Sequence, residues 1–143
     1  MPSKKCILIV RGVKSLRNGK RNPKEYPYWN ELISLLKDYK IKEVGIVPLE
    51  ELNRLLDECF TWIGVDSFFQ HYAWYHKKKG IVIFGKSDPN IFGHKDNINI
   101  LKGRNHLRSN QFDIWENENY SEEVFVKPEI ILEEVKRLDG KQI

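Results

Sequence analysis

Two cysteines are all that the 143 residues contain, and their scarcity already excludes several classes. Cys6 and Cys59 both lie in apolar contexts, so they read as small buried side chains rather than as a disulfide framework or a metal pair. His76, His94 and His106 have no metal-ligand spacing with them, which leaves no zinc pattern and no metal to expect. Long apolar runs are missing too. Ile7 to Val10 is far too short for a secretory signal or a membrane span, so a reducing cytoplasm is the expected compartment. No G-x-G-x-x-G follows that first apolar run, and no Walker A sequence occurs. A dehydrogenase-type dinucleotide fold and a P-loop enzyme are thereby disfavoured. The chain also has no internal repeat, low-complexity tract or linker.

What is present fits one domain over residues 1–143, large enough to bury roughly 68–70% of its unfolded surface. A net charge of +4 suits a phosphorylated ligand. A solvated surface of mixed charge explains it as well, and nucleic acid is disfavoured as a partner.

Apolar runs and helical stripes alternate along the chain. Cys6-Ile-Leu-Ile-Val10 is a continuous run of buried parallel-strand type. A polar loop follows from Arg11 to Lys24, with Arg11, Lys14, Arg17, Lys20, Arg21 and Lys24 among its residues. Pro27 then precedes a helical stripe of Trp29, Leu32, Ile33, Leu36 and Tyr39. Val44 to Val47 reads as a short strand, and Pro48 opens a helix with Glu50 and Glu51 in its first turn. Phe60 to Val65 is a third apolar run and Ile81 to Phe84 a fourth, with an aromatic-rich helix between them. Asn97 to Leu101 is a further candidate strand. Residues 103–121 form an ordered loop or a short helix, anchored by Phe112 and Trp115. Pro128 opens a last helix with Ile131, Val135 and Leu138 on one stripe. Such alternation predicts a single α/β domain, Rossmann-like, with a mainly parallel sheet flanked by helices.

Chemistry should gather where open parallel sheets bind ligands, beyond the carboxyl ends of the strands. Asp66 and Ser67 follow the third run, and Ser67 can cap the helix there. That helix start offers free N–H groups and a positive dipole end, which suit phosphate. Ser67 and His71, four apart, would share a helix face. A plain N-cap with a histidine packed among Phe68, Trp74 and Tyr75 is the competing reading, and the simpler one. The basic loop ending at Lys24 should reach the same edge, as should Ser87 and Asp88 after the fourth run. Lys77-Lys-Lys79 closes a helix, where positive charge is favourable without any partner.

In order, three segments resemble motifs in the carboxyl-terminal domain of the lipopolysaccharide heptosyltransferase family, glycosyltransferase family nine, which has the two-domain GT-B fold. They are Lys24-Glu-Tyr-Pro-Tyr-Trp29, Asp66-Ser-Phe-Phe-Gln-His-Tyr-Ala73 and Ile81-Val-Ile-Phe-Gly-Lys-Ser-Asp-Pro89. The resemblance covers roughly residues 5–95 well and the rest loosely. It implies binding of a nucleotide-diphosphate sugar such as ADP-heptose. Lys24 would contact the phosphates, Asp66 and the amides near Ser67 and Phe68 the diphosphate and adjoining sugar. His71 would support the turn, and Ser87 and Asp88 would line the neighbouring loop. No other cofactor is implied.

The chain departs from the family pattern in three ways. Phe68 stands where the family has glycine. The stretch from Val44 to Leu49 is too short for the family's extra helix and strand, which carry an acidic residue near the ribose. The acceptor domain, source of the general base, has no counterpart, which makes an acceptor-domain partner or a homo-oligomer the expected complement. A glycosyltransferase-like domain incomplete for transfer is therefore the leading expectation. A non-catalytic nucleotide-binding module and a ligand-free interaction domain are its rivals.

Overall fold

The computed structural model describes residues 4–45 and 47–140. Five strands form one sheet: β1 (Cys6–Ile9), β2 (Lys40–Glu43), β3 (Thr61–Val65), β4 (Ile81–Phe84) and β5 (Ile98–Leu101). Their order is β2-β1-β3-β4-β5, and every pairing is parallel. The connecting helices are α1 (Trp29–Leu35), α2 (Leu49–Glu58), α3 (Phe68–Tyr75) and the single turn α4 (Pro89–Phe92); α5 (Pro128–Gly140) ends the domain.

Period-two alternation in the central strands builds two cores. Ile7, Ile9, Ile63, Val65, Ile81 and Ile83 face α1 and α5, where Trp29, Leu32, Leu36, Ile131 and Val135 meet them. Leu8, Val10, Trp62, Val82 and Phe84 face α2 and α3, against Leu52, Leu56, Phe69 and Ala73. Burial on both faces is why these strands read as unbroken apolar runs. Pro48 sits at the N-cap of α2 and Pro128 in the first turn of α5, places that need no N–H donor.

One strand lies elsewhere than the sequence suggests. The Val44–Val47 assignment is corrected to Lys40–Glu43, whose residues are exposed or half-buried. As an edge strand, β2 pairs on one side only and needs no continuous apolar run. Val44 still donates its N–H to Ile9 O at 3.0 Å, but Val44 and Val47 pack under α2 as the start of the crossover. Ile46 falls outside the described residues.

The strand order sets the functional geography. The chain leaves β1 on one side for β2, then crosses to β3 on the other. Loops after β1 and β3 therefore diverge and open a crevice at the carboxyl edge of the sheet, a topological switch point. No helix among the described residues is long and apolar enough to cross a membrane.

Candidate functional site

A cavity of about 350 Å³ lies in that crevice, and its walls come from three separate stretches. Gly12, Lys14, Arg17 and Lys24 come from the loop after β1, Asp66 and Ser67 from the end of β3, and Trp115 from the segment after β5. Gly12 is in the left-handed region at φ 38°, and a Cβ there would lie 3.9 Å from Ser67 Oγ. The loop backbone thus passes close to the start of α3.

Lys24 Nζ stands 3.2 Å from Asp66 Oδ2. Gln70 Nε2 donates to the other oxygen, Oδ1, at 2.7 Å. Asp66 is buried, so its charge is stabilised by this pair of partners rather than by water. The arrangement fixes Lys24 against the first turn of α3, where the leading N–H groups have no partner within the helix. Ser67 is the N-cap residue, but its hydroxyl makes no capping bond, which corrects that part of the expectation. It is extended, at φ −153°, and half-buried on the cavity wall. Phe68 is exposed, its ring leaning on Tyr72 one turn on with centroids 6.0 Å apart.

The remaining predicted residues do not line this cavity. His71 turns to His94, with Nδ1 to Nε2 at 2.8 Å, and His94 stacks on Trp74 at 4.7 Å between centroids. Burial, and then the His71 charge, hold the His94 imidazole below its ordinary value. Ser87 is buried, its hydroxyl without a partner. Asp88 caps α4 by accepting from the Asn90 N–H at 2.9 Å and takes a two-pronged bond from Arg104 at 3.0 and 2.8 Å. The Arg104 guanidinium holds the Asp88 carboxyl below the usual carboxylate range. Asp88 therefore works as a structural clasp for the next loop.

The segment from Arg104 to Val124 supplies what the sequence reading missed. Among the described residues it is a strap of three short 3-10 turns: Arg104–His106, Trp115–Asn117 and Glu122–Val124. Its anchor is Arg108, which bonds Glu118 Oε1 at 3.0 Å, Asp113 O at 2.8 Å and Ile114 O at 3.0 Å. Its guanidinium also lies 4.1 Å from the Trp115 ring centroid, and Lys24 Nζ lies 5.1 Å from the same ring. Arg17 closes the cavity rim with Glu116 at 3.2 Å, which holds the Glu116 carboxyl below its ordinary value. Trp115 is thus an anchor as expected, but Phe112 is largely exposed, set edge-on to Phe92 at 5.8 Å between centroids.

Cys6 and Cys59 are both buried and both free thiols, neighbours across the base of the sheet. No group of three or more His, Cys, Asp or Glu side chains able to hold a metal occurs among the described residues.

The fold has recognisable counterparts. It is that of a heptosyltransferase-like α/β domain, with a five-stranded parallel sheet flanked by helices. The chain superposes on the dodecameric iron-containing heptosyltransferase TibC in complex with ADP-D-β-D-heptose, with a TM-score of 0.71 at 15% identity. It superposes equally on the bacterial dodecameric glycosyltransferase TibC from enterotoxigenic E. coli H10407, with a TM-score of 0.72 at 15% identity. All of this chain is covered in both cases, against 47% of TibC, so the chain spans about half that protein's length. At this identity the likeness is one of fold. No protein-family model and no curated protein sequence matches the chain. TibC contains iron, whereas the described residues here bring together no ligand set for it.

Proposed function

We propose that this domain binds a nucleoside-diphosphate sugar, of the ADP-heptose kind, in the cavity between the ends of β1 and β3. The observation that carries the reading is the Lys24–Asp66 pair, which holds a lysine beside the open first turn of α3 at the switch point. A cation beside a helix start, where the leading N–H groups have no partner within the helix, is the combination that suits a diphosphate. A volume of about 350 Å³ falls within the range of small-molecule sites. TibC, which shares the fold, has been captured with ADP-heptose.

In a transfer reaction, an acceptor hydroxyl oxygen attacks the anomeric carbon and the bond to the diphosphate breaks. The electron pair leaves on the diphosphate, and the hydroxyl proton passes to a base. Lys24 and the α3 amides would stabilise the departing diphosphate. Neither carboxylate at the cavity is free to be that base, since Asp66 is engaged by Lys24 and Gln70 and Glu116 by Arg17. Binding without transfer by the chain on its own is therefore the expected behaviour. A second domain or another subunit would supply the acceptor and the base.

A ligand-free interaction domain is the second reading. It is favoured by the same ion pairs, because Lys24 and Arg17 already have internal partners. Calorimetry with ADP, GDP, UDP and ADP-heptose separates the two. Saturable binding that is lost in Lys24→Ala supports the sugar-nucleotide site, and no heat with any of the four rejects it.

A further inference from the structure

The opposite edge of the sheet carries a second cluster, unrelated to the switch-point cavity. In a parallel sheet the segments that precede strands lie at the amino edge. Lys79 and Gly80 precede β4, and Asn97 precedes β5. Helix α3 runs back to the same edge and ends there with Trp74 and Tyr75. Lys79, Asn97, Trp74 and Tyr75 line a groove of about 720 Å³ there.

Lys77, Lys78, Lys79 and Lys95 stand around this groove, against a single carboxylate, Asp96. None of the four lysines forms an ion pair among the described residues, whereas all seven arginines of the chain do. A helix dipole accounts for one cation at the end of α3, but not for a fourth arriving on a different turn. Backbone bonds hold the lysine turn in shape. Trp62 Nε1 donates to Lys78 O at 2.9 Å, and the Lys78 N–H donates to Ala73 O at 2.9 Å. Lys77 itself sits at φ 60°, a left-handed conformation where glycine is usual.

Two further features point to a ligand. Trp74 and Tyr75 are exposed, 46% and 77%, and Trp74 is held rigid on one side by the parallel ring of His94. At the groove wall, Asn97 is 7% exposed, and its Nδ2 donor is buried with no partner. Its Oδ1 is used, accepting from the Gly80 N–H at 3.1 Å, so the amide's orientation is set and its buried donor is left without a protein partner at the groove wall.

Unpaired lysines around two exposed rings in a recess match the way single-stranded nucleic acid is held, with phosphates on cations and bases on aromatic faces. A lipid surface would instead favour rings that protrude from a convex face. We infer that this groove binds a short single-stranded nucleic acid. A solvated surface of mixed charge accounts for the net charge of +4 and disfavoured such a partner, but net charge averages over the whole surface, whereas these lysines converge on one recess.

The test is fluorescence anisotropy of the intact chain with an end-labelled oligothymidylate of about 10 nucleotides. Saturable binding is expected, with affinity falling by a log–log salt slope of about −2 to −3 for three or four phosphate contacts. Replacing Lys77, Lys79 and Lys95 together by Ala should weaken binding at least about tenfold and flatten that slope. Trp74→Leu with Tyr75→Ala should weaken it by a similar factor with the slope kept, which separates stacking from charge. Lys24→Ala, at the other edge, should leave oligonucleotide affinity unchanged, so failure here is distinct from failure of the sugar-nucleotide reading. If the aromatic double variant does not fold, the lysine variant decides, since its side chains lie at the surface. No saturable binding, equal affinity for duplex of the same length, or unchanged affinity in the lysine variant would overturn the inference. Binding to phosphatidylserine vesicles but not to the oligonucleotide would overturn it as well.

Discussion

The Lys24 ammonium lies 3.2 Å from a carboxylate oxygen of buried Asp66, and this contact joins the loop after β1 to the turn after β3. It makes the two residues unequal. Asp66 keeps a bond from Gln70 when Lys24 is removed, but its charge then lacks a cation. Removing Asp66 leaves a lysine that still reaches solvent. Lys24→Ala should therefore cost stability as well as ligand binding, about 1–3 kcal/mol, less than a fully buried pair because Lys24 is partly exposed. Asp66→Asn keeps the shape and the Gln70 contact and should cost less. Denaturant melts of both variants check the order, and a larger loss for Asp66→Asn contradicts it.

Arg108 is the second buried charge at this edge, and its guanidinium is spent on the strap. Three bonds and a tryptophan face hold it, so Arg108→Ala should free the 104–124 segment rather than the sheet. The expected result is fast amide exchange and early protease cleavage in that segment, with a global loss of about 2–4 kcal/mol. Exchange that rises uniformly through the sheet instead would show that Arg108 supports the whole core.

How much of this was legible in the sequence depended on locality. The strands β1, β3 and β4 announce themselves because burial on both faces demands an unbroken apolar run. Strand β2 hid behind its charges, since an edge strand has one solvent side. Asp66, Ser67 and Lys24 could be placed because strand ends in a parallel sheet share one edge. Arg108 and Arg104 could not. Their partners are chosen by the path of a polar strap with no periodicity, and only the position of Arg104 just after β5 hinted at a role. His71 was placed on the right helix, but its partner His94 could not be foreseen, because it lies 23 residues away on a loop.

Cys59 gives a test of the lower core. Burial, and then the adjoining Cys6, push its thiol above the ordinary range. A thiol kept protonated in the fold is a poor nucleophile. Both cysteines should resist alkylation at pH 8 in the native protein and react promptly in denaturant, as mass spectrometry would record. The sign for stability follows: the unfolded thiol ionises first as pH rises past about 8.5, so this contribution is lost in alkali. Rapid native labelling of Cys59 would contradict its placement.

The His71–His94 pair gives a test on the acid side. His94 is held below its ordinary value by burial first and by His71 second, with Asp96 opposing. It is neutral in the folded chain at pH 7, while the unfolded chain takes up a proton as pH falls through about 6.5. The unfolded state therefore binds more protons in that range, and stability decreases as the medium becomes more acid. The loss begins near pH 6.5 and is complete once the pH is below the folded value. His94→Phe keeps a ring on Trp74 but cannot titrate, so it should remove this part of the slope in thermal melts taken between pH 5 and pH 8. His71→Ala removes the neighbouring charge and should raise the His94 value in an NMR titration, though burial keeps it below normal. A His94 resonance that titrates above 6.5 in the unmodified chain would show that the ring is not buried against Trp74.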